Sequence, residues 1–460
     1  MPVTYTFDTE INLDTLVPDT PLDPGAAAVT VFVDRVDVTS CVLTGSVTRK
    51  LNRPWQATWR MPIDCSVNGP CSIVHIFING DLFFSGRVQQ MSDECDEDFC
   101  YTEYTAIDAW EIFQWRPARD GPESADPGDM TKPDVIQEYK YGPQIIEQLL
   151  LASENTSLIP ELAEGSLFLD YGGFAGGPNQ ADLSGAPVDW PMTIAEVISL
   201  LTDTGEVDVV LTPIDSTTNI ARIDVYNGNY GTDRTASVKF EYGTGNNNCK
   251  IIRQTQDMSQ MCNKLWYYFG PRIGTILDPA GDQHWCFNIT GDDGFLPGNI
   301  FAQGTDINGN PLPGGALPGR AAAVEPNPLG HMRADSQNSC GVRMEVKIFD
   351  AQGEDCGDSQ KGRELYRRLW QIESWLRANP RTLVHVTPIN TSDADLLPPG
   401  VTPVQVGDFD IGDLVTISAG AILRGGFTGA QRIYEYTVSW DEDGVIEIGE
   451  LLTSADQEGI

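Results

Sequence analysis

The alternation of apolar and polar positions is clearest from Ile73 to Arg116, where IVHIFINGDLFFSGRVQQM is followed by an acidic loop and then YTEYTAIDAWEIFQWR. Two alternating runs meet at Asn79-Gly80, a pair that suits the type I′ turn because both central residues take positive φ. A β-hairpin is predicted there. Its first strand is apolar on both faces, with Ile73 and Phe77 on one and Val74, Ile76 and Ile78 on the other. Such a strand needs cover on both sides, from a barrel interior and from a neighbouring domain or subunit. The upstream runs AVTVFV, RVDVTSCVLTGSV and PWQATWRMPI read as further strands, so residues 28–118 form a first small β domain after an N-terminal arm at 1–27. Trp110, Phe113 and Trp115 are expected to close its core, the commoner use of clustered aromatics than stacking a sugar or base.

The pattern then changes. Residues 119–205 begin polar and rich in proline, and carry a short helix from Pro143 with Ile145, Ile146, Leu149 and Leu150 on one stripe. The glycine-rich stretch YGGFAGGPNQADLSGAP reads as a loop, and it lacks the Lys-Ser/Thr ending of a phosphate loop. MTIAEVISLLTDTG is the best-marked helix: Thr193 and Glu196 form a capping box, Ile194, Val197, Ile198 and Leu201 line one face, and Gly205 stops it. A second β domain occupies 206–275 and 336–460, with an amphipathic helix at 359–377 and a closing hairpin whose turn is Asp441 to Gly444. The stretch between its halves, 276–335, is an irregular Gly/Pro/Asn-rich insertion of a length usually tied to function or to a partner.

Composition supports this division. A chain of 460 residues exceeds one core, and 45 Gly with 30 Pro favour an α+β, mainly β, class. No run of 18 apolar residues occurs and the first residues carry neither a basic nor an apolar export region, so a soluble chain without membrane insertion is expected. Charge changes the picture more: 66 acidic against 29 basic side chains leave a formal −37. Wrapping a nucleic acid is disfavoured, because affinity for phosphates rests on Lys and Arg. The scarcity of lysine fits a hypersaline host, and the acidity also fits a channel wall that must not hold a polyanion.

Candidate chemistry is sparse. Cys65, Cys71, Cys95 and Cys100 flank the hairpin, and with Asn79-Gly80 at its tip, Cys71 lies opposite about residue 88. The four thiols suit two disulfides, free buried thiols or one zinc site, with spacings looser than the usual zinc pair. The other six cysteines, Cys41 among them, show no motif. The acidic run at 92–99 is a candidate calcium loop or, more commonly, a solvated one. DINGNPLPGG opens like a calcium-binding EF-hand loop but has Pro311 where glycine belongs. His75, His284, His331 and His385 are scattered, with no catalytic or metal-binding spacing. No catalytic, cofactor or metal residue is assigned.

TRKLNRPWQATWRMP, IFINGDLFFSGRVQQM and TAIDAWEIFQWRP together resemble the N-terminal β domain of the tail hub family of tailed viruses, also called baseplate hub or minor tail proteins. GDLVTISAG and QRIYEYTVSWDEDGVIEIGELLTS are similar to that family's last β domain. The resemblance implies two barrels per chain, each like a tail tube subunit, and a homotrimer whose six barrels form a ring. That ring adapts a sixfold tail tube to a threefold tip and leaves a channel for DNA, which passes without specific binding. Implied partners are the tail tube protein and tip or fibre proteins, and the implied location is the virion tail tip, assembled in the host cytoplasm. The stop at Ile460, after the last β domain, argues against a fused wall-cleaving activity. Two other readings compete with this non-enzymatic one: a polysaccharide-degrading tail enzyme using a carboxylate pair, and a calcium-dependent adhesin.

Overall fold

The computed structural model describes residues 21–65, 69–95, 99–115, 169–175, 193–202, 207–215, 220–226, 230–259, 261, 264–269, 276–277, 283–284, 331–332, 343–349, 381–420 and 427–454. The expected helices near 143–150 and 359–377, residues 1–20 of the arm, and most of the 276–335 insertion lie outside these residues.

The described chain is mainly β. Its first part contains β1 (Val29–Val33), β2 (Val36–Asp37), β3 (Thr44–Lys50), β4 (Gln56–Pro62), β5 (Ile73–Ile78), β6 (Asp81–Cys95) and β7 (Cys100–Ile107), then helix α1 (Trp110–Trp115). Next come β8 (Leu169–Ala175), helix α2 (Ile194–Thr202), β9 (Asp208–Pro213), β10 (Ala221–Tyr226), β11 (Lys239–Tyr242) and β12 (Cys249–Asp257). The last part holds β13 (Lys264–Phe269), β14 (Ile276–Leu277), β15 (Gln283–His284), β16 (His331–Met332), β17 (Met344–Phe349), β18 (Arg381–Pro388), β19 (Leu414–Ala419), β20 (Phe427–Trp440) and β21 (Ile446–Ser454).

One sheet of 13 strands dominates, in the order β12-β18-β21-β20-β3-β4-β7-β6-β5-β1-β2, with β19 on β20 and β11 on β19. Strands from both ends of the sequence therefore share a sheet. They join where β3 pairs antiparallel with β20, from Lys50 opposite Glu435 to Gly45 opposite Trp440. A single apolar cluster runs across this join, taking in Val47, Trp59, Ile76 and Tyr104 from one side and Ile417, Ile433 and Tyr436 from the other.

The opening hairpin has the predicted turn: Asn79 and Gly80 take φ of 53° and 87°, and Ile78 pairs with Asp81. A bulge between Ile76 and Phe77 shifts the register of β5 on β6. The closing hairpin also forms, with Asp441 accepting the amide of Gly444 on its carbonyl and those of Asp443 and Val445 on its side chain. Both faces of β5 are covered, and the second cover comes from this same chain. His75 and Ser85 sit under the end of β9, where the Ser85 hydroxyl donates to the Ile214 carbonyl, and Phe32 packs edge-on against Phe77.

Helix α2 begins with the expected capping box, the Thr193 amide donating to Glu196 and the Glu196 amide to the Thr193 hydroxyl. Ile194, Val197 and Ile198 are buried, in part against α1. Two expectations change here. The aromatic run of residues 110–115 is helical, so Trp110 and Phe113, three apart, share the buried face, while Trp115 turns outward and is 53% exposed. The glycine-rich Tyr171–Ala175 stretch is no loop but part of β8, which pairs parallel with β10.

Candidate functional site

Among the described residues, polar side chains are drawn together most densely at the join between β3 and β20. Arg49 leaves β3 opposite Tyr436 and enters the core, where it is 6% exposed. One of its terminal nitrogens lies 2.8 and 2.9 Å from the two carboxylate oxygens of Asp410 and 3.3 Å from the Tyr436 hydroxyl. The other donates to the Phe83 carbonyl on β6. The guanidinium carbon stands 3.7 Å from the Phe83 ring centre and 4.4 Å from that of Trp55, so the cation lies against two aromatic rings. Burial alone would lower the Arg49 pKa, but the Asp410 charge and the Tyr436 hydroxyl more than offset it and leave Arg49 more firmly protonated than usual. The same burial pushes the Tyr436 phenol well up.

A second network lies alongside. Arg432 and Asp208 are both buried and paired at 2.5 Å. Asp208 also accepts from the Asn52 side chain at 2.9 Å and the Tyr230 amide at 3.0 Å, while Arg432 donates to the carbonyls of Gly412 and Tyr230. Asn52 takes positive φ in the turn after β3, and its side-chain oxygen Oδ1 receives the Val209 amide. Asp413, 3% exposed, accepts from the Thr232 and Asp410 amides and from Arg234 at 2.7 Å. These bonds connect β3, the start of β9, the 230–234 segment and the loop before β19. Chemically they are a brace: the carboxylates are occupied by fixed donors.

The hairpin cysteines are divided. Cys95 and Cys100 form a disulfide across the facing ends of β6 and β7. Cys71 lies opposite Val88, its amide donating to the Val88 carbonyl, which is the register expected from the Asn79-Gly80 tip. Because β6 continues for seven residues beyond Val88 to Cys95, Cys71 and that disulfide are separated by about 20 Å of strand. Cys65 is in hydrogen-bond contact with Cys41, a residue for which the sequence offered no motif. The four hairpin cysteines therefore do not converge, and among the described residues no group of three or more His, Cys, Asp or Glu is placed to hold a metal.

In the acidic run, Asp93 accepts from the Thr102 hydroxyl and Glu94 from the Tyr101 hydroxyl across the β6–β7 pair. Residues 96–98 and the segment containing Pro311 lie outside the described residues. His75 is buried against Ser85, which pushes its pKa down to about 4 through lost solvation. His385 lies on β18 beside Glu450. His284 and His331 fall on β15 and β16. A cleft of about 380 Å3 beside the hairpin tip, lined by Asn79, Asn390, Gln405 and Ile448 among others, contains no titratable side chain.

No protein family model matches the sequence, and no curated protein matches it. Solved structures do. The 43 kDa tail protein of prophage MuSo2 from Shewanella oneidensis aligns over 93% of this chain and 98% of its own, with 11% identity and a TM-score of 0.48. A tail protein from Neisseria meningitidis MC58 aligns over 95% and 98%, with 9% identity and a TM-score of 0.48. The prophage tail protein gp18 from Listeria monocytogenes EGD-e aligns over 94% and 95%, with 13% identity and a TM-score of 0.43.

Proposed function

We propose that this chain is a structural hub protein of a viral tail tip, three copies of which form a ring that joins the sixfold tail tube to a threefold tip and surrounds the DNA channel. The observation that carries the reading is the join itself. Strands from residues 44–50 and 427–440 are paired in one sheet, and two buried arginines, each paired with a carboxylate, hold that pairing. A wall built this way transmits force between its two halves without local opening, as an adaptor between tube and tip requires. The net charge of −37 supports the channel role, because an acidic lumen repels duplex DNA, which carries one charge per about 1.7 Å, where a basic one would arrest it. The insertion at 276–335 is the segment we assign to contact with a tip or fibre protein.

The test is the oligomeric state of the full chain by light scattering, alone and with tail tube protein, followed by cryo-electron microscopy of the assembly. A trimeric ring seated on the tube is expected. A monomer that stays monomeric and ignores the tube would overturn the proposal, and release of reducing sugars from host envelope would turn it towards the enzymatic reading.

A further inference from the structure

The β3–β4 hairpin ends in two short helical turns, Thr39–Cys41 before β3 and Ile63–Cys65 after β4. Thr44 pairs with Arg60 and the Leu43 amide donates to the Arg60 carbonyl, while β4 runs two residues further, to Pro62. Cys41 lies three residues before β3 and Cys65 three residues after β4. The two helical turns bring the thiols into contact although they stand 24 positions apart. Both residues are half-buried and pack against the edge of the main apolar cluster. The disulfide already present, Cys95–Cys100, lies at the same end of the sheet, since Pro62 on β4 and Glu94 on β6 both pair with Tyr101.

We infer that Cys41 and Cys65 are a second redox site, a dithiol that a low-molecular-weight disulfide of the glutathione class converts to a cross-link clamping the open end of the β3–β4 hairpin. In the reaction one cysteine, as thiolate, attacks the reagent disulfide and expels one reduced thiol, leaving a mixed disulfide on the protein. The other cysteine, also as thiolate, attacks the protein-side sulfur and expels the second. One S–S bond forms and one breaks; the protein pair loses two electrons and two protons, and both appear in the two reduced reagent thiols. The position gives the cross-link a structural consequence: β3 is the strand that pairs with β20, so clamping its free end stiffens the join. Contact with Cys41, with a smaller contribution from burial, pushes the Cys65 thiol up to about 11, so the dithiol resists oxidation at neutral pH and closes faster as pH rises.

The experiment uses the full chain, incubated with oxidised glutathione, alkylated, digested with trypsin and mapped by mass spectrometry without reduction. Fragmentation distinguishes Cys65 from Cys71, which share a tryptic peptide. The expected result is a peptide containing Cys41 linked to Cys65, formed faster at mildly alkaline than at neutral pH, with a melting temperature a few degrees above that of the reduced protein. The C41S variant should show neither the link nor the gain. Alkylation of both thiols after treatment, glutathione adducts without ring closure, or a Cys65–Cys71 link in place of Cys41–Cys65 would each overturn the inference.

Discussion

Arg49 and Asp410 stand 361 residues apart in sequence and 2.8 Å apart in the fold. Their exposures are unequal: the Arg49 side chain is 8% accessible and that of Asp410 40%. The two halves of the pair should therefore respond differently to truncation. Asp410→Ala strands a buried cation between Phe83 and Trp55 and should cost about 2–4 kcal/mol, below the full penalty for a buried pair because Asp410 is partly screened. Arg49→Met removes the cation, keeps much of its volume, and leaves a carboxylate that water can reach, so it should cost less. The double variant should resemble Arg49→Met alone. Urea midpoints of the three proteins check this, and equal, additive losses would mean that the pair is not coupled.

Arg432 and Asp208 are both inaccessible, and here the geometry leaves no cheap variant. Asp208→Asn keeps the shape but cannot accept from Asn52, Tyr230 and Arg432 together, and should cost about 3–5 kcal/mol. Arg432→Lys should fail to rescue, since a single ammonium cannot reach the Gly412 carbonyl, the Tyr230 carbonyl and Asp208 in the directions the guanidinium does. Thermal melting would show Arg432→Lys nearly as destabilised as Arg432→Ala, and a wild-type melt for Arg432→Lys would contradict the network.

What the sequence revealed was local. Asn79-Gly80, the Thr193/Glu196 box and the Asp441–Gly444 turn each carry their instruction within four residues, and each formed as read. Cys71 fell opposite Val88 because a hairpin register follows from its turn. The brace was not legible, since nothing near Arg49 names Asp410 as its partner and buried charges look like surface charges until the fold is known. Trp115 was misplaced because the chain changes period from strand to helix just before it, at Asp108, whose carboxylate caps the Trp110 amide. The contact of Cys41 with Cys65 has no local signal, since the turn at residues 51–55 that brings the two strands together carries no turn motif.

Gly45 marks the closest approach along the join. A Cβ there would lie 2.2 Å from the Trp440 ring carbon Cζ2, and the indole is itself buried. Gly45→Ala must therefore displace Trp440 or part β3 from β20, with an overpacking cost of about 1–3 kcal/mol. Hydrogen exchange should report the loss at the β3 and β20 amides before those of β5 and β6. Unchanged protection along β20 would show that the indole moves freely.

The charge of −37 sets a salt response separate from the brace. At about 1 M salt the Debye length is roughly 3 Å, so repulsion between surface carboxylates is screened while the Arg432–Asp208 pair, buried on both sides, is affected little. Stability should rise from low to molar salt in the wild type and in Asp208→Asn alike, with the difference between them kept. A difference that collapses at high salt would place the Arg432–Asp208 pair at the surface.

Two buried groups give opposite pH dependences in overlapping windows. Burial lowers His75 from 6.5 to about 4, with Asp215 opposing and Arg35 reinforcing the change. The unfolded chain then binds the extra proton first, so His75 contributes stability above about pH 6.5 that is lost as pH falls towards 4, on the order of 3 kcal/mol in all. Burial raises Asp108 from 3.8 to about 7 in spite of the Trp55 and Trp110 amides that it accepts. There the folded chain holds the proton longer, so stability falls as pH rises from about 4 to 7. In the wild type these two slopes largely cancel. His75→Gln, whose side-chain amide can still donate to the Ser85 hydroxyl, removes the first and should leave a protein whose loss relative to wild type is large near neutral pH and shrinks near pH 4. Asp108→Asn should do the reverse, with its smallest penalty near pH 7 and above. Denaturant midpoints across this range for the three proteins separate the contributions, and a pH-independent gap between His75→Gln and wild type would mean that His75 titrates normally in the fold.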